Sequence, residues 1–376
     1  MTNTKTLTMV ILTYAITTIS YAEEFCVTSS VELITALIIA EQNQEANTIR
    51  IKKGTYIAPI GGFKYITDKD DDIEISGGWV SLLNDPCNFQ LPNSPAETFL
   101  DGNSENRVMD ISIGAIDAVV SVSGIGFMNG YSNVDGDKAA GLRINASQLN
   151  SNSSITLENN SFVNNTSELS AGLELNTSAG LMIVRNNLFT LNHSTAITDK
   201  YSPTTFIINP DNSQKLYFTN NTVVDNVGGG TFIFQAQDSA KALIANNIFW
   251  KNGGVMDLEL FGSGYDFLRH NNIGIQTGSP ADEQFGNVSE MPLFEAGSMN
   301  FTPSVYSTAV GGGIRPPDLH PIPIPFELDW NIGTTDLEGN LRWQGFEIDM
   351  GAVESPHTVQ QAESPIFENG FEAFEE

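Results

Sequence analysis

The sequence predicts an all-β solenoid, one chain wound as a parallel β-helix, and three observations carry that prediction. A phrase made of an apolar run, paired asparagines, usually an aromatic and a further asparagine recurs between residues 155 and 278. Apolar residues alternate inside each copy. A second short run precedes every copy.

The copies read ITLENNSFVNN from Ile155, MIVRNNLFTLN from Met182, LYFTNNTVVDN from Leu216, ALIANNIFWKN from Ala242 and FLRHNNIGIQT from Phe267. Four fit N-N-x-[F/V]-x-x-N and the fifth departs from it. The second asparagines, at 160, 187, 221, 247 and 272, lie 27, 34, 26 and 25 residues apart. Stacked-coil architectures repeat over this range. Residues two apart on a strand share a face. Leu157, Val184, Phe218, Ile244 and Arg269 therefore form one inward row, and Ile155, Met182, Leu216, Ala242 and Phe267 another. Asn159, Asn186, Asn220, Asn246 and Asn271 extend this inward face and are expected to form a structural amide ladder along the axis. Such a ladder satisfies buried turn backbone.

The preceding runs, GLRIN from Gly141, GLELN from Gly172, TTFIIN from Thr204, GTFIF from Gly230 and MDLEL from Met256, give each coil at least two strands. Strands this short bury their apolar face only by stacking on the next coil. A leucine-rich repeat is the rival solenoid, but no L-x-x-L-x-L-x-x-N unit is present.

Taken in order, residues 1–22 read as a secretory signal peptide, with Lys5, an apolar region from Leu7 to Ile19, and cleavage after Ala22. A membrane anchor is the alternative, but the apolar run is shorter than the roughly 20 residues a span needs. No later stretch could span a membrane. Residues 23–47 hold a capping helix, because Ser29-Ser30-Val31-Glu32 resembles a capping box and Leu33, Leu37 and Ala40 share a helical face up to about Gln44. Such a helix covers the open first coil, whose strand edges would otherwise invite association. Residues 48–300 form the β-helix, with early coils at NTIRIKKGTYIAP, at IEISGGWV (Ile73 and Ile75 inward) and at VSVSGIGFMNG, where Phe127 matches Phe162 and Phe189. Residues 301–354 form a closing segment, in which the Pro- and Gly-rich GGGIRPPDLHPIPIP from Gly311 is a loop incompatible with a central strand and precedes TTDLEGNLRWQGFEIDMGAVE, from Thr334 to Glu354. There Phe346, Ile348 and Met350 alternate as a last strand or hairpin over the exit end, and Arg342 is a candidate partner for Asp336 or Asp349. Residues 355–376 form an acidic tail with the aromatic motif IFENGFE.

The 17 Lys and Arg stand against 45 Asp and Glu, a net charge of −28. That balance argues against nucleic acid, which is bound by neutralising phosphates, and against adsorption to anionic lipid. Cys26 and Cys87 both follow the signal, so an oxidising compartment permits a disulfide; two free thiols are the alternative.

Many parallel β-helices act on polysaccharides, so catalytic residues have to be sought here. Glycoside hydrolysis needs an acid and a base or nucleophile. The chain has four histidines, His193, His270, His320 and His357, and no G-H-G. Arg50-Ile51-Lys52 lies in an opening strand whose cations alternate toward solvent. No catalytic residue or cofactor is assigned. Asp68, Asp70 and Asp72, with Asp71, form the densest acidic cluster and are the candidate Ca²⁺ ligands; Asp135 and Asp137 form a smaller cluster. Neither has EF-hand spacing. Trp79, Tyr131, Tyr201, Tyr217 and Trp250 could stack on sugars if exposed, or serve simply as core.

The mature chain resembles bacterial right-handed parallel β-helix repeat proteins with a choice-of-anchor Q type C-terminal segment, similar in pattern to polymorphic outer-membrane-protein-like surface proteins. The residues that carry the resemblance are VTSSVELITALI with TIRIKKGTY, the early SGGW, Pro86-Cys87, FLDG from Phe99, the N-N-x-F coils, and the closing D-L-E-G-N-L-R with I-D-M-G-A-V-E. IFENGFE also resembles short C-terminal endings of secreted proteobacterial proteins. The resemblance implies right-handed winding and a secreted or surface location, and it transfers no catalytic residues. The expected function is non-catalytic: adhesion to, or binding of, a glycan or surface partner. A carbohydrate-active enzyme with a site on one face is the alternative, and a pure spacer is a third reading.

Overall fold

The computed structural model describes residues 23–357 except 44, 84, 93, 133–138, 197–203, 210–213, 236, 254–255, 298, 316–325, 327–329 and 343–346. The expected signal peptide and most of the acidic tail fall outside these residues, as do Asp135, Asp137, Tyr201, His320 and Phe346.

Three parallel sheets run the length of a β-helix: an 11-stranded sheet A and two 8-stranded sheets, B and C. Each full coil contributes one strand to each of the three sheets, where the sequence suggested at least two strands per coil, and two coils add a short fourth strand, Thr166–Ser167 and His193–Ser194. In one coil they are Ser154–Glu158 in A, Ser161–Val163 in B and Leu173–Thr177 in C, before the next A strand, Leu181–Arg185. The B strand is only three residues long, so its apolar signal merges with the asparagine motif on either side. Coil-to-coil register is unbroken through the central coils, with Ile155 opposite Met182 and Leu157 opposite Val184.

Period-two alternation places Leu157, Val184, Phe218 and Ile244 in the interior, all fully buried. In the fifth copy the register moves by one residue. Ala242 pairs with Asp266 and Ile244 with Leu268. Leu268, not Arg269, is therefore the inward residue, and Arg269 instead binds Glu283 at 2.5 Å. On sheet B, Phe127 and Phe162 stack with ring centroids 5.1 Å apart and Phe162 and Phe189 at 4.6 Å. Each such ring contributes about 1.5–3 kcal/mol by leaving water.

The asparagine ladder lies one residue beyond the expected one. Asn159, Asn186, Asn220 and Asn246 adopt left-handed backbone, with φ of 52°, 54°, 53° and 57°. Asparagine tolerates this conformation better than other residues with a Cβ. The left-handed residue turns the chain from sheet A into sheet B, and the following residue faces inward. Asn160, Asn187, Asn221, Asn247, Asn271 and Asn287 thus form the ladder, each Nδ2 donating to the next Oδ1 at 2.9–3.2 Å. Asn271 belongs to it because of the fifth copy's register change. A second ladder, unforeseen, uses the motif's last asparagine: Asn165, Asn192, Asn226 and Asn252, ending on Asp257.

Helix α1 (Ser30–Gln42) closes the first turn, two residues shorter than expected. Glu32 N donates to Ser29 Oγ at 3.2 Å while the Glu32 carboxylate accepts from Thr28 N at 2.6 Å. Leu33, Ala36, Leu37 and Ala40 are its buried face. The strand before it, Glu23–Val27, already pairs in parallel with Asn47–Lys52, so sheet A begins ahead of the helix rather than after it. Cys26 in that first strand is disulfide-bonded to Cys87 in an antiparallel hairpin strand, Cα to Cα 5.6 Å.

The described residues of the closing segment lie along the flank rather than over the exit end. Phe326, Trp330, Ile332 and Ile348 pack on Ile183, Tyr217, Leu243 and Phe267, the outward row of sheet A. Leu337, Ala352 and Val353 cover Leu188, and Met350 and Ala309 cover Val224 and Ile248, all on sheet B. Among the described residues it holds isolated bridges, Thr335 with Leu341 and Phe294 with Pro303, rather than a strand or hairpin. The asparagines in left-handed backbone dock it: Asn186 Nδ2 donates to Ile332 O and Thr335 O, Asn220 Nδ2 to Asp349 O, and Asn246 Nδ2 to Ile314 O. Arg342, fully buried, pairs with Glu354 at 2.5 Å rather than with Asp336 or Asp349, and reaches Asn186 Oδ1 at 2.6 Å. Asp336 instead accepts from Asn340 N and Glu354 N, and Asp349 from Gly311 N and Ser355 N.

Candidate functional site

The outer face of sheet C carries a groove of roughly 490 Å³, lined by Ile66, Thr67, Asp68, Ser112, Ile113, Gly114, Asn145, Ser147 and Gln148. Its floor follows from strand alternation. Phe63 and Tyr65, Met109 and Ile111, and Leu142 and Ile144 point inward and are fully buried, so the residues between them must point out. One outward row is in register across the coils: Ser112 opposite Asn145, Asn145 opposite Asn176, Asn176 opposite Ile208, Ile208 opposite Phe234, and Phe234 opposite Phe261. The row is polar at one end and aromatic at the other. Asn176 Nδ2 donates to Asn145 Oδ1 at 3.4 Å. Phe234 and Phe261 lie 5.6 Å apart, with Phe261 45% exposed, and Phe206 stacks on Phe232 at 4.9 Å beside them.

The parallel row one position away is charged. Asp110 is opposite Lys64 on one side and Arg143 on the other, and Arg143 is opposite Glu174. Arg143 clamps Asp110 through Nε at 3.1 Å and through a second, Nη2 contact. Arg107 Nη1 also reaches Asp110, at 3.5 Å, and its Nε donates to Ala139 O. Ser112 Oγ donates to Asp110 Oδ1 at 3.2 Å, joining the two rows.

Chemically this surface offers neutral amides and hydroxyls with an adjacent aromatic patch. Amides can donate to and accept from ligand hydroxyls at once, and aromatic faces bury the apolar face of a ring. The groove lining contains one carboxylate, Asp68. The carboxyls most perturbed by burial do not line it. Asp266, inside the last coils, is pushed up to about 7 by burial despite the Gln235 amide at 2.5 Å. Glu354, beneath the closing segment, is raised to about 7 by burial against the opposing pull of Arg342.

In the acidic loop that holds the candidate Ca²⁺ ligands, two of the carboxylates accept backbone hydrogen bonds. Asp70 Oδ1 accepts from Ile116 N at 3.0 Å and Asp117 N at 2.9 Å, and Asp72 Oδ1 from Val119 N at 2.8 Å. These carboxylates cap backbone amides of the neighbouring coil, while Asp68 lines the groove. No group of three metal-binding side chains converges among the described residues.

The candidate aromatics are dispersed. Trp79 lies under the Arg50 guanidinium at 4.6 Å, Tyr217 is buried beneath Phe326, and Trp250 packs with the closing segment. Tyr131 is 37% exposed on a different wall. Arg50 itself pairs with Glu24. His270 Nδ1 faces Gly312 O and His357 pairs with Glu295, so neither joins the groove. The phenylalanines of sheet C escaped the sequence reading because IIN, FIF and ELFG look like core. Their signal was the coil-to-coil alignment of Ile208, Phe234 and Phe261.

No family model matches the chain, and no curated protein matches it. Among solved structures, the chain is similar to the crystal structure of pectate lyase Pel9A, at 12% identity and a TM-score of 0.33, covering 89% of this chain and 97% of that one. A likeness at that level carries no functional argument.

Proposed function

We propose that the protein is an exported β-helix that binds an extended glycan along the outer face of sheet C without turning it over. The observation that carries this reading is the in-register row from Ser112 through Asn145 and Asn176 to Phe234 and Phe261, which sets hydrogen-bonding amides and aromatic faces on one line. Export is supported by the Cys26–Cys87 disulfide, which suits an oxidising compartment, and by the leader-like residues 1–22. The closing motif's resemblance to surface-anchored β-helix proteins points the same way.

One observation favours a carbohydrate-active enzyme instead: Asp110, Arg143 and Glu174 lie on three consecutive coils beside the groove. The test is to incubate the mature chain, residues 23–376, with neutral and acidic polysaccharides with and without Ca²⁺. Binding and the appearance of reducing or unsaturated ends are both recorded. Binding without new ends is the expected result. New ends that disappear in Asp110→Asn would overturn the non-catalytic reading and place chemistry on the charged row.

A further inference from the structure

We infer that the glycan held on sheet C is uncharged and is read one ring per coil, with its long axis along the solenoid. The inference rests on the glycan-binding reading above and names the class of ligand for that same face.

The charges of the described residues disfavour an acidic chain. A polyuronate presents a carboxylate on every ring and needs cations that are free to meet it. The two guanidiniums beside the groove, Arg107 and Arg143, both converge on Asp110. Asp68 is exposed in the groove itself. Further along, Glu174 and Glu259 lie in the adjacent row, opposite Phe206 and Phe232 respectively, and are buried, so they add to the negative field of the face without touching a ligand. Among the described residues of the face, Lys64 is the exposed lysine, at the first coil, and one point charge does not serve a chain of uronates. A net charge of −28 adds a repulsion that is strongest at low ionic strength.

The same face suits a neutral sugar chain. Asn145 and Asn176 present amides on consecutive coils, and Phe234 and Phe261 present ring faces on two coils further on. Parallel strands repeat at about 4.8 Å, close to the advance of a pyranose chain per ring. Each coil can then address the ring beside it, through hydroxyls at the amide end and through C–H faces at the aromatic end. The row from Ser112 to Phe261 steps across six successive coils, so affinity should rise with chain length up to about six rings.

The experiment is isothermal titration of the mature chain with cello-, laminari- and manno-oligosaccharides from di- to hexasaccharide, and with hexagalacturonate, at low and physiological salt, with Ca²⁺ and with chelator. The expected result is that a neutral hexasaccharide binds with little salt dependence, more tightly than its shorter homologues, while hexagalacturonate does not bind at either salt. Phe261→Ala and Asn145→Ala, both at exposed positions, should each weaken the neutral ligand about tenfold. Asp68→Lys should bring measurable hexagalacturonate binding. Hexagalacturonate binding to the wild type as well as the neutral hexasaccharide, with or without Ca²⁺, overturns the inference and leaves glycan binding intact. Neutral binding that ignores both alanine variants, or shows no length dependence, overturns the assignment to this row. Absence of binding to every sugar overturns the glycan reading itself.

Discussion

Replacing Asn187 with leucine removes one rung of the inner ladder. Asn187 Nδ2 donates to Leu157 O at 3.0 Å and to Asn221 Oδ1 at 3.0 Å, while its Oδ1 accepts from Asn160 N at 3.0 Å and Asn160 Nδ2 at 3.2 Å. Asn160 Nδ2 keeps Val122 O, and Asn221 Oδ1 keeps the backbone N–H of residue 187. Asn160 N and the amide's bond to Leu157 O have no such substitute in a fully buried position. Two buried groups at about 1–3 kcal/mol each give a loss of about 2–6 kcal/mol. The adjacent Asn186→Leu acts elsewhere: it forces leucine into left-handed backbone and takes from the closing segment the amide that holds its Ile332 O, Thr335 O and Arg342. Urea unfolding followed by circular dichroism reads the first effect, and limited proteolysis between residues 301 and 357 reads the second. The expected result is a lower midpoint for Asn187→Leu with its closing segment still protected below the transition, and early cleavage of the closing segment for Asn186→Leu. An unchanged midpoint for Asn187→Leu would refute the inner-ladder assignment.

Asp266 provides a pH test. Burial raises its folded pKa to about 7, above the unfolded value, so its contribution to stability is complete below about pH 4 and is lost as pH rises through 7. Asp266→Asn should therefore flatten the fall in melting temperature between pH 5 and 8, and an unaltered slope counts against this account. Arg342→Met leaves Glu354 buried without its partner and should cost about 3–5 kcal/mol. Differential scanning calorimetry tests this, and a loss below 1 kcal/mol would mean that the pair does not hold the closing segment. Reducing the Cys26–Cys87 bond releases a separation of 61 residues, which chain entropy values at about 4 kcal/mol; thiol-treated protein should melt earlier, with exchange of the Glu23–Val27 amides rising first.

Legibility followed periodicity. Leu157, Val184, Phe218 and Ile244 could be placed inside because alternation on a strand is a local property of the chain. The capping box at Ser29 and Glu32 was legible for the same reason. The paired asparagines were visible, but their division of labour was not. Whether the first or the second of a pair faces inward depends on which adopts left-handed φ, and that depends on how sheet A turns into sheet B. The fifth copy misled by one residue because His270 fills the left-handed position that asparagine holds in the other four copies. One long-range signal was available: Leu181–Arg185, Lys215–Thr219 and Lys241–Ala245 break strict alternation at Ile183, Tyr217 and Leu243, as strands covered on both faces do.

By itself, then, the sequence determined that the chain coils, which aliphatic and aromatic side chains of the first four copies fill the coils, that a helix lies near their start and that two cysteines could be joined. Tertiary structure alone decided where the closing segment lies, that Arg342 meets Glu354 and Asn186, and that Asn145, Asn176, Phe234 and Phe261 form one outward line. The physical reason is range. Strand alternation and caps act over a few residues, whereas a flank contact spanning 156 residues, or a surface row built one residue per coil, exists only after stacking has set the register.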